Sequence, residues 1–263
     1  MLTHAQDALV WTERLMAACI LQQTLELWLI RRQLRDDGVF AFPVLRREYR
    51  LFPAPLRLLC DWGLNYPAFT ALLGLRVAGA WGLALGVSEF AVPLWLSQVA
   101  VCVRFRGTFN GGSDYMTVQV LLALGTATVL RSSVALTGGL FYIAVQSTFS
   151  YFIAGVAKAK EADFWSGRAV LGFVKLPQYA APSWAKRVLS IPPVRRISAL
   201  AVLLFECGFP LAWMGPKLAL AWLATGATFH LVNFFVFGLN RFFFVWLATY
   251  PALLFSVQKV AAG

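Results

Sequence analysis

Runs of mainly apolar residues recur along almost the whole of this 263-residue chain, separated by stretches that gather its arginines and lysines. A helix needs about 20 such residues to cross the hydrocarbon of a bilayer. In hydrocarbon every backbone amide must be paired within the protein, and a helix does this within its own segment, so for apolar runs of this length helices are the default spanning element. Composition agrees. Hydrophobic residues make up 59% of the chain and charged residues 13%, against about a half and a quarter in soluble domains. A soluble domain of this size has no core large enough to hide so much apolar surface. The predicted fold is therefore all-α, a polytopic transmembrane bundle of about eight segments plus a short interfacial helix. Residues 1–263 form a single transmembrane domain in this reading.

The eight candidate segments are 8–30, 66–85, 90–103, 115–130, 134–157, 197–214, 218–237 and 242–257. The first is the most interrupted, by Glu13, Arg14, Gln22, Gln23 and Glu26, and a partly interfacial course suits it as well as a crossing. Two connections are long and basic, 31–62 and 158–196. Within the second, an apolar turn at 169–174 followed by prolines predicts a short interfacial helix and then irregular chain. If all eight cross, Arg14, Arg131, Lys217 and Lys259 fall on one side and Arg76 lies inside a helix. All other basic residues fall opposite, on the cytoplasmic side by the positive-inside rule.

That distribution also decides what the net charge of +11 means. Nucleic-acid binders carry a basic stripe on a soluble module; here the charge sits between hydrophobic runs, so membrane lipid is the expected partner and nucleic acid is not. Cys19, Cys60, Cys102 and Cys207 form no CxxC pair and read as small apolar residues. No metal is expected. Residues 1–14 carry Asp7, Glu13 and Arg14, and no signal peptide is expected.

Ionisable groups at membrane depth are costly, so each marks a candidate site. Asp114 opens the fourth segment after Asn110-Gly111-Gly112-Ser113, and Lys158 closes the fifth. Glu206 lies mid-way along the sixth, and His230 and Asn233 sit one turn apart near the end of the seventh. At 1.5 Å per residue, Asp114 and Lys158 lie at the basic face, Asn233 about 6 Å inside it, His230 about 10 Å and Glu206 about 15 Å. These depths predict that Lys158, Asp114 and His230 line one cavity open to a membrane face. They also predict a direct or one-water hydrogen bond between Glu206 and His230. Plainer readings stand beside these. Asp114 can cap a helix and Lys158 can snorkel from one. Glu206 and His230 can be a structural pair, and Asn-Gly-Gly an ordinary turn. Arg104 and Arg106 can set topology or bind an anion.

The stretch Tyr151-Phe152-Ile153-Ala154-Gly155-Val156, then Lys158, Asp163, Trp165 and Gly167, closely resembles one in the vitamin K-dependent γ-carboxylases. Bacterial relatives that carry only the horizontally transferred transmembrane (HTTM) domain share it. Phe229-His230, Asn233, Phe237, Phe242, Val245, Leu247-Ala248 and Pro251 resemble that family's last two helices. Asn110-Gly111-Gly112 before Asp114, and Asp37-Gly38-Val39, resemble two further elements of the short relatives. The resemblance covers most of the chain and is most specific around Lys158.

The resemblance implies a lysine base, at the position of Lys158, that deprotonates a reduced quinone. Oxygen then turns that anion into a base strong enough to take a proton from a peptide glutamate. A base must be neutral, and removal from water favours the neutral amine. Catalytic roles are thus expected for Lys158, His230 and Asp114, and substrate or quinone contacts for Asn110, Asn233, Glu206, Arg106 and Trp165. The family's large extracytoplasmic substrate domain is not in this sequence, and Ser113-Asp114 stands where the carboxylases have a histidine. Their site also faces the lumen, opposite to the side the charge distribution gives Lys158.

The expected function is a carboxylase-like enzyme of the bacterial inner membrane, coupling a reduced quinone to modification of a peptide or small substrate. A second protein would supply that substrate where true γ-carboxylation is concerned. The alternative is a non-catalytic membrane partner for maturation or export of a small secreted peptide. A transporter has less support, since no inverted repeat or paired broken helices are visible.

Overall fold

The structure, a computed structural model, describes residues 4–105, 111–179 and 181–262. The described residues are predominantly helical, with no strand among them. In chain order the helices are α1 (Ala5–Leu29), α2 (Phe42–Leu45), α3 (Ala54–Gly63), α4 (Tyr66–Ala84), α5 (Ala91–Arg104), α6 (Gly112–Leu130) and α7 (Ser133–Ala159). They continue with α8 (Ala162–Trp165), α9 (Arg168–Lys175), α10 (Ser183–Leu189), α11 (Pro192–Gly208), α12 (Pro216–Phe237) and α13 (Asn240–Ala262). Proline opens several of them, where its missing N–H costs nothing. Asn65 caps α4 by accepting from the Ala68 amide at 3.0 Å.

Among the described residues six helices are long and apolar enough to cross a membrane: α4, α6, α7, α11 with its 3₁₀ extension to Met214, α12 and α13. The chain therefore reads as an integral membrane protein, with six such helices where the sequence suggested eight segments. The two that differ do so for different reasons. At 14 residues, α5 rises only about 21 Å, short of a hydrocarbon core about 30 Å thick. With 25 residues, α1 has the length but not the apolar composition. The short helices α9 and α10 of the 158–196 connection bear on another expectation: α9 forms where the apolar turn predicted it, but the chain beyond is not wholly irregular. Pro182, extended at φ −65° and ψ 151°, starts α10 instead of breaking it.

The chain divides into two compact units, Leu9–Gly139, and Met1–Ala8 with Leu140–Gly263. The first is organised around Arg76, which is fully buried. Its guanidinium donates to Ser97 Oγ and Gln98 Oε1, both at 2.9 Å, to Thr24 Oγ1 at 3.2 Å and to Gln23 Oε1 at 3.3 Å. Gln23 Nε2 in turn donates to Thr117 Oγ1 at 2.9 Å. One network thus ties α1, α4, α5 and α6 together, and it accounts for the polar Gln23 and Thr24 of α1; Thr12 and Glu13 of the same helix are buried as well. Those side chains are spent inside the unit, while Trp11, Leu25, Trp28 and Leu29 face outward.

Arg104, at the end of α5, is also fully buried. It donates to the Phe40 carbonyl at 2.8 Å and the Leu34 carbonyl at 3.3 Å, and lies over the rings of Phe42, Phe69 and Phe105. Beyond any part in topology, it pins the 31–62 connection to the helix ends.

Candidate functional site

The motif around Lys158 becomes geometry in the second unit. Tyr151, Gly155 and Lys158 are spaced four and three residues apart on α7, so they share one face. That face meets α11 at Gly155. A Cβ added there would fall 2.7 Å from the Cys207 amide nitrogen and 2.8 Å from Glu206 Cβ, so only glycine permits this approach. One turn on, Lys158 Nζ donates to Glu206 Oε1 at 2.7 Å and Oε2 at 2.6 Å. The Glu206 side chain is 5% exposed and that of Lys158 28%. The pair is sealed on the carboxylate side and open on the ammonium side.

Phe205 is Glu206's chain neighbour and sits edge-on to the Tyr151 ring at 5.1 Å, while Phe209 stacks on it at 4.1 Å. Inside this aromatic packing the Tyr151 hydroxyl lies 2.7 Å from His230 Nε2 and 3.1 Å from the Tyr250 hydroxyl. Gly226 makes room for Tyr250, whose hydroxyl occupies the space a Cβ would take. The Trp246 ring lies 5.2 Å from that of His230. Two polar atoms here, His230 Nδ1 and Trp246 Nε1, are buried without a hydrogen-bond partner.

The structure therefore brings Lys158, Glu206 and His230 into one packed region, but with a different pairing from the one their depths suggested. No direct Glu206–His230 bond forms. Glu206 belongs to Lys158, and His230 Nε2 belongs to Tyr151. The linear count put Glu206 about 15 Å below Lys158 because it set every segment's start at one plane. In fact α11 begins at Pro192, and its first turns extend outward to pack against α8 and α9.

The remaining predicted positions are distributed as follows. Asn233 is half-buried one turn after His230, and its carbonyl accepts from the Leu239 amide at 3.3 Å, closing α12. Trp165 is exposed and its Nε1 donates to the Ala159 carbonyl at 2.8 Å, capping α7 next to Lys158. Asp163 pairs with Arg168 at 2.7 Å, and Gly167, at φ 76°, lies against the backbone of Arg195 and Arg196. Much of the Lys158 motif thus builds the turn that follows the lysine. Asp114 belongs to the first unit, fully buried in the first turn of α6. Asn110 and Arg106 lie outside the described residues.

Tyr151→Phe tests the hydrogen bonds that the Tyr151 hydroxyl makes with His230 and Tyr250. The ring keeps its stacking, but His230 loses the partner of Nε2. The expected cost is about 2 kcal/mol, the desolvation penalty of one unsatisfied buried group. Thermal unfolding of the purified variant in detergent measures it, and an unchanged midpoint would rule the bond out as a stabilising element.

Among known proteins no family model matches this chain, and neither does any curated protein or solved structure.

Proposed function

We propose that the second unit carries the proton-transfer site of a carboxylase-like enzyme of the bacterial inner membrane. Lys158 is its base, and a reduced quinone and oxygen drive modification of a peptide or small substrate. The observation that carries this reading is the Lys158–Glu206 pair, with both carboxylate oxygens on one ammonium and one side open. A charged lysine is not a base. Its proton must move first, and at 2.6 Å Glu206 Oε2 is the acceptor at hand. The neutral pair, amine beside carboxylic acid, is then the state in which Nζ accepts a substrate proton.

The side chains around the pair are what supports a reduced quinone as the partner. Orphaned His230 Nδ1 and Trp246 Nε1 offer polar contacts to its ring oxygens, and Tyr151, Phe209 and Trp246 offer aromatic walls. When bound it would supply reducing equivalents and an acidic O–H. His230, held through Nε2 by Tyr151, would orient the oxygen that Lys158 addresses.

The test is protein-dependent oxygen uptake with a reduced short-chain naphthoquinone, at matched protein levels. Lys158→Arg keeps the charge and the reach but cannot give up its proton, so activity should fall about 100-fold or more. Glu206→Gln should fall likewise. Full activity of the arginine variant would overturn the base. The pair's geometry also favours one other reading, a clamp between α7 and α11 in a non-catalytic partner for maturation or export of a small secreted peptide. On that reading Lys158→Arg leaves mature-peptide output in cells unchanged.

A further inference from the structure

The connection between α1 and α4 contains a pocket of about 360 Å³ lined by Pro43, Arg46, Arg47, Tyr49, Arg57 and Asp61. We propose that it binds the phosphate of an anionic phospholipid headgroup. Three guanidinium groups face one carboxylate, leaving the pocket strongly positive. Arg46 is fixed by Asp61 at 3.1 Å, whereas the guanidinium groups of Arg47 and Arg57 have no hydrogen-bond or ion-pair partner among the described residues. Planar guanidinium forks match phosphate oxygens two by two. The wall behind them is rigid. Tyr49 is buried, its hydroxyl donates to the Val103 carbonyl, and its ring stacks on Phe52 at 5.4 Å.

The same short helices say why the phosphate belongs to a lipid. Arg57 and Asp61 lie one turn apart on α3, and Leu58 and Trp62 occupy the adjacent stripe of that helix. Leu58 is 60% exposed and Trp62 75%, with Leu51 on the preceding turn at 94%. In water these side chains would be a liability. In a chain with six membrane-length helices they are what an interfacial segment presents to acyl chains, with tryptophan at headgroup level. A headgroup in the pocket leaves its tails beside Leu58 and Trp62. A soluble phosphate compound would leave that apolar stripe without a role. Basic pockets at the membrane surface hold anionic headgroups through this combination.

The experiment uses the full chain in neutral detergent and native mass spectrometry, titrating phosphatidylglycerol or phosphatidylcholine. Phosphatidylglycerol should be retained in preference to phosphatidylcholine. Arg47→Gln with Arg57→Gln should weaken its retention at least about tenfold, and lysine at both positions should give an intermediate value. Helix content and elution volume report folding; should the double variant fail these, Arg57→Gln alone, on the exposed α3, carries the test. Equal retention of both lipids, or no loss in the glutamine variants, overturns the proposal. Displacement of phosphatidylglycerol by millimolar sodium phosphate also overturns it and makes the ligand a soluble phosphate compound. The result is independent of catalysis at Lys158.

Discussion

Lys158→Met, with Glu206 left in place, should destabilise the protein by about 3 kcal/mol, the low end for breaking a buried ion pair. The low end applies because the ammonium is 28% exposed, so part of its charge is already solvated. The carboxylate, at 5%, has no such outlet once its partner is gone. The reverse change, Glu206→Leu, should therefore cost less, since the lysine stem can carry its charge toward the open side. Combining the two should recover most of the loss, because an apolar pair of similar volume avoids the desolvation penalty altogether. A double-mutant cycle on unfolding in mixed micelles reads this coupling directly. If the single costs simply add, the pair does no energetic work and the clamp reading falls. If they couple while Lys158→Arg still abolishes turnover, the pair is both a clamp and a proton store.

Fold class was legible because hydrocarbon permits so few solutions: each helix now counted as membrane-length was already visible as an apolar run. What the runs hid was the role of their interruptions. Gln23 read as an interruption of the first segment and Arg76 as a charge inside a helix, yet with Thr24 they form one hydrogen-bonded network in the first unit. Sequence gives position along a helix but neither its azimuth nor where the helix starts relative to its neighbours, and the early start of α11 at Pro192 is what brought Glu206 to Lys158 instead of His230. Part of the azimuth was nonetheless readable. Tyr151, Gly155 and Lys158 share a face by spacing alone, as do Gly226, His230 and Asn233, and a glycine on a polar stripe signals close helix contact. Tyr250 carried no such signal. It enters only because Gly226, on another helix, leaves space for its hydroxyl. Short helices are the other blind spot: α8 and α10, of four and seven residues, are too brief for periodicity to show.

Gly155→Ala should be among the most damaging single-methyl changes in the second unit. The added carbon would sit 2.7 Å from the Cys207 amide nitrogen and 2.9 Å from its Sγ, and the nearest of these atoms is backbone, which cannot rotate away. Relief requires α11 to move off α7, and packed helices resist such shifts because their side chains interdigitate. Overpacking of this kind costs about 1–3 kcal/mol, and the upper end is expected here. The displacement would also act at a distance of one turn, since Glu206 and Cys207 are consecutive and Glu206 meets Lys158. Retreat of α11 stretches the 2.6 Å contact and leaves a buried carboxylate poorly compensated. The substitution should thus lower the unfolding midpoint and, on the catalytic reading, lower turnover as well, although it replaces neither charged residue. Gly138→Ala is the control, because nothing lies within 4 Å of a Cβ built there, and it should leave both readouts unchanged. A wild-type midpoint for Gly155→Ala would mean that α7 and α11 do not meet at this residue, and the Lys158–Glu206 geometry would fall with that contact.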